Sequence, residues 1–471
     1  EVTDTLRERG QKVGVLSPNV MRPFPAEEFR QALKHVKAVT IGDRADSYGA
    51  GGGNLSLEVR AALQIDREND TIVLSRIYGL GGKDFNAADA EVFFDQAAEA
   101  AKAQRAPEAF AYHGATAGRP DSRPRPGLPA LSAEEVTRGM AKVEVNPKTG
   151  KLDVELAPLW KMTEQPGRIA PGHGACPGCG AFPTLHQAGR VLDGDVVVLF
   201  QTGCAMVVTT GYPVTAHRIN YIHNLFQNGA ATMAGLVEMY HERVRRGELP
   251  ESKDITFVMV SGDGGMDIGM GPAIGAANRN HPMIILEYDN QGYMNTGAQL
   301  SYSTPIGHRT STSEVGRRLP GKRYHHKDTA QIFAACHIPY VFTASEGFPE
   351  DLMRKVAKAQ WYAKREGLVY GKILSFCPLN WRTTDDAAQP VLQAAIDSCF
   401  FPLYEVEHGV TTLTYDPEAA GRRCPVGDWL KQMGKTRHLT KPENSQILAE
   451  IEHEAERRWK RIKAMHEHPL L

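Results

Sequence analysis

Short apolar runs of strand length alternate along the chain with longer stretches whose apolar residues recur at helical spacing. Residues 12–16 read as a strand stopped by Ser17-Pro18, and Pro23-Phe24-Pro25 leads into a helical stretch over 26–35. Residues 36–41 read as a second strand, followed by Gly49, Gly51, Gly52 and Gly53. A helix over 55–63, a strand over 71–77 and a helix over 87–105 follow. This alternation predicts a small parallel α/β domain. The domain opens inside a helix over 2–9 with no strand ahead of it, so its first strand is expected to have been removed or to come from another polypeptide.

Residues 113–131, rich in Pro, Gly, Arg and Ser and without periodicity, read as an exposed linker. Residues 143–145 and 152–156 alternate around Asn146-Pro147-Lys148-Thr149-Gly150 and predict a hairpin. A larger α/β unit begins near Gly172, with strands expected over 196–200, 255–260, 283–288, 339–343 and 369–376. Helices are expected between them, among others over 183–192, 229–246 and 349–365. The tail reads as an amphipathic docking helix over 447–462, with Ile447, Leu448, Ile451, Ala455, Trp459 and Ile462 at helical spacing. The domain map is therefore 1–112, a linker and hairpin over 113–165, a large domain over 166–405 and an extension over 406–471.

Composition narrows the partners. The 471 residues are 42% hydrophobic and 23% charged, with a formal net charge of -1. That balance suits a globular protein and gives no electrostatic reason to bind nucleic acid or an anionic membrane. No uncharged apolar run reaches the roughly 18 residues of a membrane span, and the first residues lack the basic and apolar regions of a signal peptide. Seven cysteines, an odd number in a long chain, fit reduced thiols and metal ligands better than a secreted disulfide scaffold. A cytoplasmic protein is the expectation.

Gly262-Asp263-Gly264-Gly265 follows directly on the apolar run 255–260. In a parallel sheet, ligands sit beyond the carboxyl ends of strands. Small residues there let the backbone approach a phosphate, and Asp263 offers an anionic oxygen to a hard cation such as Mg²⁺. The next strand ends at Asp289-Asn290-Gln291-Gly292, where the Asn290 amide oxygen and the Gly292 carbonyl can reach the same ion. A bare Gly-Asp-Gly fits a surface turn equally well; its pairing with Asn290 after an intervening helix and strand is far more specific. The pair resembles the diphosphate-binding motif of thiamine-pyrophosphate enzymes.

Longer matches point to one family. Residues 262–269 (GDGGMDIG) and 288–297 (YDNQGYMNTG), continued by Ser303-Thr304-Pro305-Ile306-Gly307, resemble the β-subunit signature of 2-oxoacid:ferredoxin oxidoreductases, the pyruvate synthase family. The resemblance implies that Met294, Asn295 and Thr296 lie against the cofactor, with Asn295 the polar residue nearest the reacting carbon and hence the candidate catalytic residue; a loop-capping amide is the alternative. It also implies a cofactor-binding set of Thr202, Gly203, Gly262, Asp263, Gly264, Gly265, Asn290, Gly292, Met294, Asn295 and Thr296.

Cys176-Pro177-Gly178-Cys179 could by itself be a zinc knuckle, a redox pair or half of an iron–sulfur site. No second tight pair accompanies it. Cys204 and Cys377 instead follow expected strands, at the rim that would carry Asp263 and Asn290. The pattern resembles the proximal [4Fe–4S] site of the same family, which implies Cys176, Cys179, Cys204 and Cys377 as ligands. Cys399 and Cys424 stay open as replacements for Cys377, and Cys336 reads as core. His173 and His223 read as hydrogen-bonded structural residues.

The fold expected is thus α/β with two parallel-sheet units, the larger a thiamin-diphosphate-binding fold and the smaller a transketolase C-terminal-like domain. The smaller unit, through 17–25 (SPNVMRPFP) and 79–84 (GLGGKD), resembles the domain that follows the pyrimidine-binding domain in the α subunit of the same enzymes. Its glycine cluster lacks the Gly-x-Gly-x-x-Gly order and reads as a helix-packing turn. Both pieces on one chain depart from the usual subunit division, as in a rearranged fusion or a chain cut from a longer one. The implied activity is coenzyme A-dependent oxidative decarboxylation of a 2-oxoacid, with thiamine pyrophosphate, Mg²⁺ and a [4Fe–4S] cluster as cofactors. The implied partners are an α-type subunit carrying the pyrimidine domain and activating glutamate, a γ-type subunit, and a ferredoxin-like δ subunit with further [4Fe–4S] clusters. A cluster-free thiamine decarboxylase or synthase and a non-catalytic scaffold subunit are the rivals.

Overall fold

The computed structural model describes residues 2–20, 23–45, 51–79, 85–114, 139–164, 167–169, 173–210, 215–249, 255–316 and 319–469. The described residues form two compact units, one up to Gly114 and one from Gly139 onward.

The first unit is a parallel sheet of β1 (Ala38–Asp43), β2 (Ile72–Ile77) and β3 (Phe110–Tyr112), in that order. Helix Asn54–Gln64 links the first two strands and Ala87–Ala103 the last two. Phe29, Leu33, Ile41, Val59 and Leu63 make its core. The expected strand over 12–16 is absent. Those residues pair with no neighbour, Val15 and Leu16 are exposed, and the Val13 carbonyl accepts from Arg7 Nε at 2.8 Å instead. An apolar run becomes a strand only where a sheet edge receives it. The glycine cluster ends in Gly53, which precedes the helix; Gly49 and the segment 80–84 fall outside the described residues. The Asp43 carboxylate accepts from the backbone N–H groups of Leu55 (2.9 Å) and Ser56 (3.1 Å), so a side chain of the unit itself caps that helix start.

The second unit opens with an antiparallel hairpin, β4 (Ala141–Val145) and β5 (Leu152–Leu156), whose Leu152 is buried with Val143, Val154 and Leu156 against the main core. The principal strands are β6 (Val196–Gln201), β7 (Asn220–Asn224), β8 (Thr256–Gly262) and β9 (Ile284–Asp289). Beyond a two-residue ladder of β10 (Val315–Gly316) and β11 (Leu319–Pro320) come β12 (Tyr340–Ser345), β13 (Val369–Leu374), β14 (Tyr404–Glu407) and β15 (Val410–Leu413). They form an eight-stranded sheet in the order β15-β14-β12-β13-β9-β8-β6-β7. The six strands from β12 to β7 run parallel, while β14 and β15 add an antiparallel edge.

Strands β8, β9, β12 and β13 are buried at every position, which is why they read as near-continuous apolar runs. One face packs on helices Ala181–Val191 and Pro349–Arg365, the other on Gly229–Arg245 and Met270–Asn278. The tail helix, Ser445–Glu467, buries Ile451, Ala455, Trp459 and Ile462. The segment around Val426–Lys431 packs Trp429, Leu430 and Met433 with Phe376, Cys377 and Trp381. No described helix is long and apolar enough to cross a membrane.

Candidate active site at the carboxyl rim of the large sheet

Registry brings four loops together. Phe200 of β6 pairs with Val260 of β8, Gly262 with Tyr288 of β9, and Asp289 with Leu374 of β13. The chain segments leaving these strands, 202–204, 263–265, 290–296 and 375–377, therefore lie side by side at the carboxyl ends, where open parallel sheets bind ligands. Between the first three of these segments lies a cleft open to solvent, with Cys204 among its lining residues. All eleven residues expected to touch the cofactor line it: Thr202, Gly203, Gly262, Asp263, Gly264, Gly265, Asn290, Gly292, Met294, Asn295 and Thr296. Phe226, Tyr288 and Tyr293 line it too and were not anticipated.

Aromatic rings explain the glycines. A methyl at Gly203 would stand 2.6 Å from Tyr288 Oη, and one at Gly264 would stand 2.4 Å from the Tyr293 ring. Tyr288 Oη accepts from the backbone N–H of Ala205 at 3.3 Å, so this buried hydroxyl joins the 203–205 turn to the end of β9. Thr202 Oγ1 is bonded to His223 Nε2 at 2.8 Å, and His173 stacks on Phe182 with ring centroids 3.9 Å apart. Both histidines thus have structural partners.

Asp263 is buried at the start of helix Asp263–Ile268, where Ser301 Oγ donates to its Oδ2 at 2.5 Å. Burial pushes its carboxyl well above the usual range and the charge of Asp289 adds to this, against the nearby ammonium of Lys327. One terminal atom of the Asn290 amide lies 3.1 Å from Asp263 Oδ1 and 2.9 Å from the Gly292 carbonyl oxygen. With nitrogen in that position the amide donates to both; with oxygen there, three oxygens face one another, the arrangement a cation requires.

The loop carrying these oxygens is held from behind by residues not singled out from the sequence. Asn380 Nδ2 donates to the carbonyls of Asn290 (2.8 Å) and Gln291 (3.1 Å), and Trp381 Nε1 donates to that of Asn290 (3.1 Å). Both belong to the short helix Pro378–Trp381 directly after Cys377. Lys435 Nζ donates to Gln291 Oε1 at 2.8 Å. Burial pushes this ammonium down to about 7, while the negative charges of Cys377, Asp289 and Asp263 act the other way. Asn295 is exposed on the cleft wall and its side chain makes no hydrogen bond to described residues, so it caps no loop.

Backbone bonds tie the cysteine loops to one another. Cys179 N–H reaches the Cys176 carbonyl at 3.1 Å, Gly174 N–H the Val208 carbonyl at 2.9 Å, and Gly180 N–H the Phe376 carbonyl at 2.8 Å. Asn380 N–H donates to Cys377 Sγ at 3.4 Å. Burial pushes the Cys179 thiol up to about 11, with Cys377 and Cys176 adding. It pushes Cys204 up to about 12, with Cys377, Cys179 and Cys176 adding, and it raises Cys377 as well. Cys176 enters as a neighbouring charge at all three of these thiols. Among the described residues no group of three or more His, Cys, Asp or Glu side chains is gathered around a point suited to a single metal ion. Cys399 and Cys424 lie elsewhere, the first beside Arg423 and the second with Sγ 3.8 Å from the Ala394 carbonyl. Cys336 is half-buried in the turn after helix Thr329–Ala334, and its Sγ donates to the Ile332 carbonyl at 3.5 Å. Glu346 is a further buried carboxyl at this rim, pushed up to about 8 by burial, whose Oε1 accepts from Phe376 N–H at 2.6 Å.

Comparison with known proteins agrees with the geometry of the rim. Residues 1–90 match the family described as pyruvate:ferredoxin oxidoreductase core domain II. Residues 201–370 match the thiamine pyrophosphate enzyme C-terminal TPP binding domain, which contains the cleft-lining glycines, Asp263 and Asn290. The pyruvate synthase subunit PorB of Thermotoga maritima is 40% identical over 304 residues, 64% of this chain and 92% of the relative. The same subunit of Methanocaldococcus jannaschii is 38% identical over 285 residues, 60% and 94% of the two chains. The ketoisovalerate oxidoreductase subunit VorB of Pyrococcus furiosus is 31% identical over 297 residues, 63% and 92%. With nearly the whole length of such relatives matched and a thiamine pyrophosphate-binding domain at its centre, the chain belongs to the 2-oxoacid oxidoreductase family, as a subunit.

Proposed function

We propose that the chain holds thiamine pyrophosphate through Mg²⁺ at Asp263, Asn290 and Gly292, beside a [4Fe–4S] cluster on Cys176, Cys179, Cys204 and Cys377. In this reading it serves the coenzyme A-dependent oxidative decarboxylation of a 2-oxoacid. The observation that carries the metal assignment is a pair of distances. Octahedral Mg²⁺ binds oxygen at about 2.0–2.1 Å, which puts adjacent oxygens roughly 2.9 Å apart, whereas Ca²⁺ asks for about 3.3 Å or more. With the Asn290 oxygen turned toward them, its separations of 3.1 and 2.9 Å from Asp263 Oδ1 and the Gly292 carbonyl fit the smaller ion; with the nitrogen there, the same separations are ordinary hydrogen bonds. Its charge would also relieve the Asp263 carboxylate of its burial and its proximity to Asp289.

One property of the cysteine set suits a cluster: burial keeps the Cys179, Cys204 and Cys377 thiols protonated unless a cationic centre stabilises the thiolates. Thiamine pyrophosphate, when bound, supplies the carbanion-stabilising chemistry by which a 2-oxoacid loses CO₂. The residues of the chain bind and orient it. Gly264 and Gly265 keep the backbone open to the diphosphate, Met294 and Thr296 bound the cleft, and Asn295 offers a free amide N–H to the substrate. Tyr288, which lines the cleft together with Cys204, fills the space beneath Gly203. The cysteines provide the exit for electrons toward an acceptor.

Completion of the site falls to partners: an α-type subunit with the pyrimidine domain and its activating glutamate, a γ-type subunit, and a ferredoxin-like δ subunit with further [4Fe–4S] clusters. Seven unpaired cysteines suit the reducing conditions of a cytoplasm. The test has two arms. Iron and acid-labile sulfide are determined on the anaerobically reconstituted chain; about four of each is expected. Cys377→Ser should lose the broad absorption near 400 nm, and Cys399→Ser and Cys424→Ser should keep it. The purified complex is then assayed against pyruvate, branched-chain, aromatic and other 2-oxoacids with a viologen dye as acceptor. Thiamine-dependent decarboxylation that reduces no dye would refute the oxidative assignment.

A further inference from the structure

Deep in the second unit, the ammonium of Lys435 is 1% exposed and reaches no carboxylate among the described residues. Two other lysines buried near this rim are neutralised, Lys327 by Asp267 and Glu287 and Lys372 by Asp289 (2.9 Å) and Glu287 (3.7 Å), while the buried Lys322 gives its donors to three backbone carbonyls, those of Ser301 (3.2 Å), Tyr302 (3.1 Å) and Thr304. Lys435 has three N–H donors and one neutral acceptor, Gln291 Oε1 at 2.8 Å, and lies over the Trp381 ring at 5.2 Å from its centroid. Trp381 is buried with it, in the turn that starts at Cys377, whose carbonyl accepts from Trp381 N–H at 2.9 Å. A buried cation with no counter-charge is expensive. The negative charges that act on it are first that of Cys377, the thiolate proposed to hold the cluster, and then those of Asp289 and Asp263 at the diphosphate loop.

We infer that Lys435 is a positioning residue for charge: its ammonium, packed on Trp381 behind Cys377, is the counter-ion of the cluster and raises its reduction potential. The assignment rests on the cluster reading above. Adding an electron makes a thiolate-bound cluster more negative, and a fixed positive charge in a low-dielectric surrounding stabilises that reduced form more than the oxidised one. The lysine lies in the carboxyl-terminal segment, so that segment would help set the driving force for electron exit.

The experiment is a redox titration, by EPR and visible absorption, of the full chain reconstituted anaerobically with iron and sulfide. Lys435→Met and Lys435→Gln remove the charge, the second keeping a donor for Gln291; Lys435→Arg keeps the charge. At a fixed potential both neutral variants should show a ratio of reduced to oxidised cluster at least about tenfold lower than wild type, a midpoint about 59 mV more negative for a one-electron couple. Lys435→Arg should stay near wild type. Neutral variants with an unmoved midpoint overturn the assignment. If the neutral variants fail to load a cluster while Lys435→Arg loads one, charge is required even for assembly and the assignment stands; failure of all three overturns it, because shape and not charge then matters. A wild-type chain that takes up no four-iron cluster refutes the parent reading, a separate outcome seen before any variant is made.

Discussion

Asp263→Asn separates the two roles of a buried carboxylate. In the chain without ligand, Asp263 is buried beside Asp289, and both circumstances disfavour its charge. The amide has the same shape and can still accept from Ser301, whose hydroxyl donates at 2.5 Å. The ligand-free variant should therefore be at least as stable as the wild type. The ligand-bound state should behave in the opposite way, because the only anionic member of the three converging oxygens is gone. Thiamine pyrophosphate with Mg²⁺ at about 100 times its Kd adds about 2.7 kcal/mol to stability. At roughly 2 °C per kcal/mol for a domain of this size, that is an upshift of about 5 °C. If the variant binds about 100-fold more weakly, the same concentration equals one Kd and leaves about 0.4 kcal/mol, an upshift of about 1 °C. Thermal unfolding of chain and variant, with ligand, with Mg²⁺ replaced by Ca²⁺, and with chelator, reads all of this. A variant that keeps the full Mg²⁺-dependent upshift, or a wild type that responds equally to Ca²⁺, refutes the assignment of these oxygens.

Other expectations follow from close contacts. Gly203→Ala puts a methyl 2.6 Å from Tyr288 Oη and should destabilise the chain by about 1–3 kcal/mol in denaturant unfolding; Tyr288→Phe, which removes the oxygen, should recover part of the loss. An additive double-variant cycle would show that the two residues do not meet. His217 is buried between Phe200 and Tyr221, accepts or donates at Thr209 Oγ1 (2.9 Å), and burial pushes its imidazole down to about 4. Its folded pKa lies below the unfolded value near 6.5, so its contribution is complete above that pH and is lost as pH falls from there toward 4, by at most about 3 kcal/mol. His217→Gln should flatten that part of the stability–pH curve, and an unchanged slope between pH 6.5 and 4 would contradict the reading.

The chemistry was legible where it is written in adjacent residues. Gly262-Asp263-Gly264-Gly265 and Asp289-Asn290-Gln291-Gly292 each follow a strand buried on both faces, and an apolar run ending in glycine and carboxamide is a local signal. Strand β7, with the sequence NYIHN, was not legible because it lies at the sheet's edge and needs no apolar alternation. Residues 12–16 show the converse, an apolar pattern that pairs with neither edge of the three-stranded sheet. Asn380, Trp381 and Lys435 gave no signal because their roles come from contacts made across long stretches of chain. Tyr288 and Tyr293 flank the Asp289–Gly292 stretch, and their proximity to the cleft glycines could have been suspected from the need to fill the space opposite Gly203 and Gly264.

The bonds from Gly174 to Val208 and from Gly180 to Phe376 join three loops through peptide groups alone. Among the described residues, the bond that Cys377 Sγ accepts from Asn380 N–H stays within its own turn. On the cluster reading proposed above, maturation can therefore wait until the polypeptide has left the ribosome and closed its core, with inorganic sulfide and iron arriving last. Stripping the metal with a chelator should then leave a folded protein ready to be refilled, in contrast to small zinc modules that collapse when their ion is withdrawn.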